Sequence, residues 1–363
     1  MSNNESILSI YKNNQKNYTA LEGMTCSLLS TLLSSQSLHI HSISSRTKSL
    51  ESLHGKINRI GKSYNAIEDI TDIVGIRITT YFSDELDKVS KLIASEFTVD
   101  SDHSIDKRKS LAPDRFGYMS LHLVVSYNND RVKLPEYKSF SGIKFEIQIR
   151  SILQHAWAEI EHDIGYKSSI EVPDNLKRKF SRLSSLLELA DEEFVSIKDS
   201  ISNYIHDLPE RLSERPKDVT LDINSLKMFI TTTPEVIKIE NEMATVFKCH
   251  LTSTDDLMLS QSLKFLAIMG IKTIEDLKNK YNEISKYIIP FLREWLMRES
   301  DQSDYHDISQ GISLLYLTYI NLVIKQDRNL AINVFSSAPF IDIEQLYSDV
   351  NIVWNIVTAS KGP

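Results

Sequence analysis

Cysteine is almost missing: Cys26 and Cys249 are the only two in 363 residues. They are too few and too far apart for a disulfide framework or a Cys-rich zinc site, so each is expected to be a small buried hydrophobe. Glycine and proline are sparse, at 10 and 9, which excludes a collagen-like repeat and argues against low-complexity disorder. No run of about 18 apolar residues is present, and the opening "MSNNESILSIYKNN" lacks the basic and apolar regions of a secretory signal. A cytoplasmic location with no membrane partner is expected. Charge of one sign is not concentrated either. Residues 1–210 carry 25 Lys+Arg against 29 Asp+Glu, and 211–363 carry 16 against 20, so neither part is a general polyanion binder. Contact with nucleic acid would need a local patch, and "DKRKS", with Lys107, Arg108 and Lys109, is the densest one in the N-terminal half.

What is present is ordinary globular material, 41% hydrophobic and 25% charged, in a chain long enough for two domains. "LEGMTCSLLSTLLSSQSLHI" spaces its leucines at helical intervals, so 6–40 reads as one or two helices. "IVGIRITT" (73–80), "MSLHLVVSY" (119–127) and "KFEIQIR" (144–150) are β-branched or alternating and read as strands, with an amphipathic helix from about Asp84. Helices and strands interleave to about 167, a mixed α+β pattern. Residues 174–204 then read as one long helix, and "DLPERLSERPKD" as the best linker. The expected domains are 1–206, a linker at 207–222, and an all-helical module at 223–363.

The stretch from 144 to 167 gathers titratable groups on two neighbouring elements. In a strand Glu146, Gln148 and Arg150 share one face, while Phe145, Ile147 and Ile149 share the other. On the helix that follows, His155, Glu159, His162 and Tyr166 fall in one stripe at steps of four, three and four. An ordinary solvated face could carry that stripe. Three other stretches point elsewhere. "SRTKSLESLHGK" places Arg46, Lys48, Ser52 and Lys56 within about three helical turns, a surface able to hold polyphosphate. "DIVGIR" sets Asp72 at a strand start, Gly75 where backbone can be approached closely, and Arg77 on the strand. "FGYMSLH" puts Tyr118, Ser120 and His122 on one face of another strand. "HIH" at 39–41 carries no metal signal, because histidines two apart do not share a helix face and no carboxylates cluster with them.

Taken together, these four blocks resemble the synthetase domain of the RelA/SpoT alarmone synthetases over about 40–170. The resemblance implies a nucleotidyltransferase-like mixed sheet flanked by helices, and pyrophosphate transfer from ATP to the 3′-hydroxyl of GTP or GDP. It also implies residue roles. Arg46, Lys48, Ser52, Lys56 and Arg77 would hold ATP, and Asp72 and Glu146 would be the catalytic carboxylates and the ligands of Mg²⁺. Tyr118, His122 and Arg115 would face the acceptor, supported by Gln148, Arg150, His155 and His162. With about 40 residues ahead of the first block, the hydrolase domain of the long members is not expected.

One departure bears on the acceptor. Relatives that use guanine nucleotides commonly read P-K-x-N-G-Y, whereas this chain reads "PDRFGY", with Asp114 for the lysine and Phe116 for the asparagine. A carboxylate about 4 Å from a phosphate charge costs on the order of 4 kcal/mol at an effective dielectric of about 20. Arg115 could restore the cation. Toxic small synthetases of the family resemble this pattern and modify the tRNA 3′-end; for them Lys107–Lys109 and the run Lys177, Arg178, Lys179, Arg182 would suit an RNA backbone. An adenine nucleotide as acceptor, and a catalytically silent interaction module, are further alternatives. Expected partners are ATP and a nucleotide acceptor, with tRNA, a homo-oligomer and a regulator of the C-terminal module also compatible.

Overall fold

The structure is a computed structural model that describes residues 3–59, 61–110, 120–166, 173–298, 307–336 and 342–359. By its contacts the chain divides into two units, Met1–Asp199 and Ser200–Pro363.

The first unit is built on one mixed sheet of five strands: β1 (Ile40–Thr47), β2 (Val74–Thr80), β3 (Phe97–Asp106), β4 (Leu121–Tyr127) and β5 (Phe145–Ser151), in the order β1-β2-β5-β4-β3. Only the β2–β5 pair is parallel. Period-two alternation sends Ile76 and Ile78, Phe145, Ile147 and Ile149, and Leu121, Leu123 and Val125 to one face, where they are buried. That face is covered by α1 (Asn3–Ser35), whose buried Ile7, Tyr11, Tyr18, Leu21, Leu29 and Leu33 follow helical spacing, and by α3 (Glu85–Glu96) through Leu86, Val89 and Ile93. Burying large apolar side chains contributes about 1.5–3 kcal/mol each, so this layer sets the register of every strand above it. The opposite face of the sheet is polar.

Short elements complete the unit: α2 (Leu50–Ile57), α4 (Lys107–Ser110), α5 (Ile152–Tyr166) and the start of α6 (Asp174–Glu214). Two strands lie outside the sequence expectations. β1 occupies 40–47, so Arg46 stands on a strand and only Ser52 and Lys56 of the basic block lie on α2, which Ser49 caps. Serine, threonine and isoleucine alternate there, a weak β signal hidden by its polar residues. β3 follows α3 without a break, because polar Asp100, Asp102 and His103 on an edge strand carry no apolar alternation.

The second unit is helical: α7 (Ile223–Thr232), α8 (Pro234–Phe247), α9 (Asp256–Ile268), α10 (Ile274–Arg298), α11 (Ile312–Lys325), α12 (Arg328–Phe335) and α13 (Ile343–Ala359). It is not wholly so. Two three-residue strands, β6 (His250–Thr252) and β7 (Asp307–Ser309), pair in parallel. The expected linker at 207–222 is helical as far as Glu214, since α6 runs on through Pro209. Proline removes one helical hydrogen bond, but the neighbouring Leu208 is fully buried in the second core, and that packing holds the helix together. The two cysteines are only partly buried, Cys249 at the margin of this core.

At the start of α11, Gly311 has φ 100°, a conformation that favours glycine. The Gly311 N–H and Ser313 Oγ both donate to Glu240 Oε1 of α8, at 2.8 and 2.7 Å. Glu240 is 1% exposed, and burial pushes its carboxyl up despite these donors.

Candidate active site

The polar face of the sheet is ordered in rows by strand register. Arg46 on β1, Gly75 on β2 and Glu146 on β5 lie side by side in one row, and Ser44, Arg77, Gln148 and His122 in the next. A row of residues far apart in sequence thus becomes a continuous surface. Gly75 leaves a gap in it: a Cβ built there meets nothing within 4 Å.

Two carboxylates border this gap. Asp72, in the turn before β2, pairs with Lys56 at 2.7 Å through Oδ1 and with Lys48 at 3.2 Å through Oδ2. Burial alone would push Asp72 up, but the hydrogen bonds and charges of Lys56 and Lys48 outweigh it and hold the carboxyl below its ordinary value. Lys48 is itself fixed by its backbone. Its N–H donates to the Ile73 carbonyl at 2.8 Å, and its carbonyl accepts from the Tyr11 hydroxyl of α1. Glu22, also on α1, accepts from Ser45 and Thr47 of β1 at 3.0 and 2.6 Å. The N-terminal helix therefore holds the strand from which Arg46 projects.

Glu146 is the second carboxylate. Its Oε1 is 2.7 Å from His122 Nδ1 on β4, and its Oε2 accepts from Gln148 Nε2 at 2.8 Å. Gln148 Oε1 accepts in turn from Arg150 Nη2 at 2.5 Å. Burial would raise Glu146, yet His122 and Gln148 together leave it below its ordinary value, against the opposing charge of Asp72. Both carboxylates are ionised at neutral pH and near enough to feel each other.

The helix over this face is placed by a reciprocal cap. Ser151 Oγ accepts from the Gln154 N–H at 3.2 Å and Gln154 Oε1 from the Ser151 N–H at 3.1 Å, the capping-box arrangement that fixes a chain's entry into a helix. α5 then brings Glu159 within 2.8 Å of Arg77, with Arg150 and His155 farther off at 3.8 and 3.9 Å. Burial, then the charge of Arg77, depresses His155. His162 is exposed beside Glu161, three residues past Glu159. Ser52 lies on the exposed side of α2, its N–H donating to the capping Ser49 at 3.1 Å. Tyr118, Arg115, Asp114 and Phe116 lie outside the described residues, as does the side chain of Tyr166.

The basic patch at 107–109 divides. Arg108 donates to Asp106 and Asp87, at 2.9 and 2.7 Å, and is part-buried. Lys107 is depressed by burial and lies within range of the Glu146 charge, on the catalytic face. The side chain of Lys109 lies outside the described residues. Sequence reasoning missed Glu22, Tyr11 and Lys107 as parts of the site, and the partnership of Glu159 with Arg77, because each depends on a contact across elements.

The donor set can be tested against a divalent cation. Among the described residues no group of three or more His, Cys, Asp or Glu side chains forms a ready-made metal cage. Two ionised carboxylates beside cationic side chains fit Mg²⁺, which is bound by one or two carboxylates plus substrate phosphates and water.

A family model described as "Region found in RelA / SpoT proteins" matches residues 45–171. GTP pyrophosphokinase YjbM of Bacillus subtilis is 32% identical over 165 residues, covering 45% of this chain and 74% of that protein. GTP pyrophosphokinase YwaC of the same organism is 32% identical over 162 residues, 43% of this chain and 73% of that protein. The crystal structure of the small alarmone synthetase 1 from Bacillus subtilis aligns with a TM-score of 0.45 and 26% identity, over 54% of this chain and 99% of its own. At such identity over nearly three quarters of two curated relatives, the chain belongs to the RelA/SpoT family of pyrophosphotransferases.

Proposed function

We propose that the protein moves pyrophosphate from ATP to the 3′-hydroxyl of GDP or GTP, making (p)ppGpp. The observation that carries this reading is a pair of held carboxylates: Asp72, in the turn before β2, between Lys48 and Lys56, and Glu146, beside Gly75 in the row, held by His122 and Gln148. Phosphoryl chemistry of this type is accelerated by in-line positioning and by neutralising charge as it develops. Arg46, Lys48, Lys56 and Arg77 neutralise and align the triphosphate, with Ser52 adding a hydroxyl donor. Asp72 and Glu146 would hold Mg²⁺, which when bound shields the phosphate oxygens and polarises the reacting phosphorus. Binding of ATP draws Lys48 and Lys56 from Asp72 toward the phosphates and frees its oxygens.

On the acceptor side Glu146 takes the hydrogen bond of the 3′-hydroxyl and receives its proton as the 3′-oxygen bonds to the β-phosphorus of ATP and the bond from that phosphorus to the α,β-bridging oxygen breaks, with AMP leaving. A carboxylate held low by His122 is a weak base at rest, so the transfer is concerted with attack rather than ahead of it. His122 keeps Glu146 oriented. Gln148 and Arg150 brace the other oxygen from the same strand face, and His155 stands with Glu159 above Arg77. Tyr118 supplies a stacking surface for the base, and Arg115 the cation that Asp114 does not. A cytoplasmic location suits these substrates. The names of the two curated relatives support a guanine acceptor, and the engagement of Arg108 with Asp106 and Asp87 weighs against tRNA.

The test is transfer of label from γ-labelled ATP with Mg²⁺ to GDP, GTP, ADP, ATP or bulk tRNA offered separately. Label on GDP or GTP is the expected result. Label on tRNA alone, or none with folded protein, would overturn the reading.

A further inference from the structure

The part of α6 that belongs to the first unit buries polar groups where a surface helix ordinarily buries apolar ones. Leu186 and Leu189 face outward, 61% and 54% exposed, whereas Asp191 is 4% exposed. A carboxylate in such a place lowers stability, and an apolar side chain of similar volume would lower it less. Its presence points to a contact that an apolar residue could not make.

That contact is with Ser151, the last residue of β5, whose Oγ donates to Asp191 Oδ2 at 2.5 Å. A serine hydroxyl has one proton and two lone pairs. With the proton directed at Asp191, a lone pair is left for the Gln154 N–H, the bond that caps α5. Ser151 is 0% exposed, so no water can take over its proton. Without Asp191 the hydroxyl turns that proton to a neighbouring backbone carbonyl, and its lone pair swings away from the cap. The seat of Asp191 is set independently of Ser151. Seven residues on, about two helical turns, Lys198 pairs with Asp84 at 2.5 Å and lies 4.8 Å from the centre of the Phe82 ring. The Phe82 carbonyl accepts in turn from Thr80, which stands opposite Ser151 in the sheet. One helix thus grips the C-terminal ends of both parallel strands, the one that carries Arg77 and the one that carries Glu146.

We infer that Asp191 is a positioning residue for the ATP side of the site: by taking the Ser151 proton it fixes the first turn of α5, and α5 holds Glu159 on Arg77. This rests on the assignment of Arg77 to the triphosphate. Glu159 lies about two turns from the cap, so a change in the direction of the first turn moves its carboxylate, and with it the guanidinium 2.8 Å away. Asp72 and Glu146 draw their partners from other elements, Lys56 on α2, His122 on β4 and Gln148 on β5, so the acceptor side is spared.

The full chain is titrated calorimetrically with Mg²⁺–ATP and, separately, with GDP, and each variant is melted. Asp191→Asn keeps an oxygen for the Ser151 proton and should bind ATP within ~3-fold of wild type. Asp191→Ala, Asp191→Leu and Ser151→Ala should each raise the Kd for ATP at least ~10-fold, as the loss of one hydrogen bond to a charged group does, and leave that for GDP within ~2-fold. Because the two residues act through one bond, the double alanine variant should bind no more weakly than the weaker single one. Asp191→Leu fills the space that alanine empties and should melt higher, which separates loss of position from loss of fold. Unchanged ATP binding in the alanine and leucine variants, an asparagine variant as weak as alanine, or an equal loss for GDP would overturn the inference. Wild-type protein that binds ATP without transferring label would refute the proposed reaction instead and leave this comparison standing.

Discussion

Replacing Gly75 with valine should make the protein more stable and much less active. The backbone at this position does not need glycine, because Gly75 is not among the positive-φ residues. A Cβ there meets no atom within 4 Å, so the added methyls rise into open space rather than into packing. Glycine within a strand costs roughly 0.5–1 kcal/mol against a side chain suited to the strand. Recovering that energy should raise the melting temperature by about 2–4 °C. The methyls stand about 2.5 Å above the sheet plane, between Arg46 and Glu146 in the row. On the proposed role of Asp72 and Glu146, Mg²⁺ bound by them at about 2.0–2.1 Å would be displaced by these methyls. A displacement of even about 1 Å costs about 10²-fold in rate, so kcat/KM for transfer should fall at least ~10²-fold. Thermal melts and label transfer on the same preparation decide the matter. A stable variant with unchanged kcat/KM would show that phosphates and metal do not pass over Gly75; a destabilised variant would show that the strand cannot accept a branched residue.

The remaining expectations can be read in the same assays. Glu146→Gln should keep the fold and lose at least ~10²-fold of transfer rate, since the shape is retained and the charge is not; turnover like that of wild type would remove Glu146 from the mechanism. Asp72→Asn should shift the Mg²⁺ concentration for half-maximal rate upward, which a magnesium titration would show. Tyr118→Ala should raise KM for the acceptor more than for ATP, because stacking of a base on an aromatic ring contributes about 1–3 kcal/mol; equal changes would count against the placement. Asp191→Asn concerns stability and pH. Burial raises the Asp191 carboxyl above its ordinary value despite the Ser151 hydroxyl, so its contribution is fully present below the unfolded value and is lost as pH rises through the folded one. The asparagine variant should therefore gain on wild type in denaturant melts at neutral pH and lose that advantage in acid.

Much of the site was legible because its chemistry sits within short blocks. Arg77, Glu146, Gln148 and Arg150 could be placed from strand alternation, and the register of β2 and β5 brings them onto one face as that alternation requires, whereas Asp72 lies in the turn before β2 and was singled out by its motif. Less legible was whatever depends on polar strands. β1 and β3 bury few apolar residues, so period-two hydrophobicity could not announce them, and Arg46 was read on a helix in consequence. Contacts between distant elements left no trace in the sequence at all. Nothing in the helical spacing of Glu22 or Tyr11 tells that one grips β1 and the other the Lys48 carbonyl. The proline at 209 was a fair signal for a break, overridden by the burial of Leu208 beside it.

The Glu240 cap on α11 has a consequence for how the helical unit comes into being. Gly311 offers no side chain to hold the first amides of α11, and the carboxylate that does so lies 71 residues earlier in the chain. Nucleating a helix from scratch is unfavourable, so α11 gains its first turn only once α8 has arrived. The two helices thus form as a single cooperative block, and a chain cut anywhere between Glu240 and Gly311 must find its own other half before either part is fully ordered.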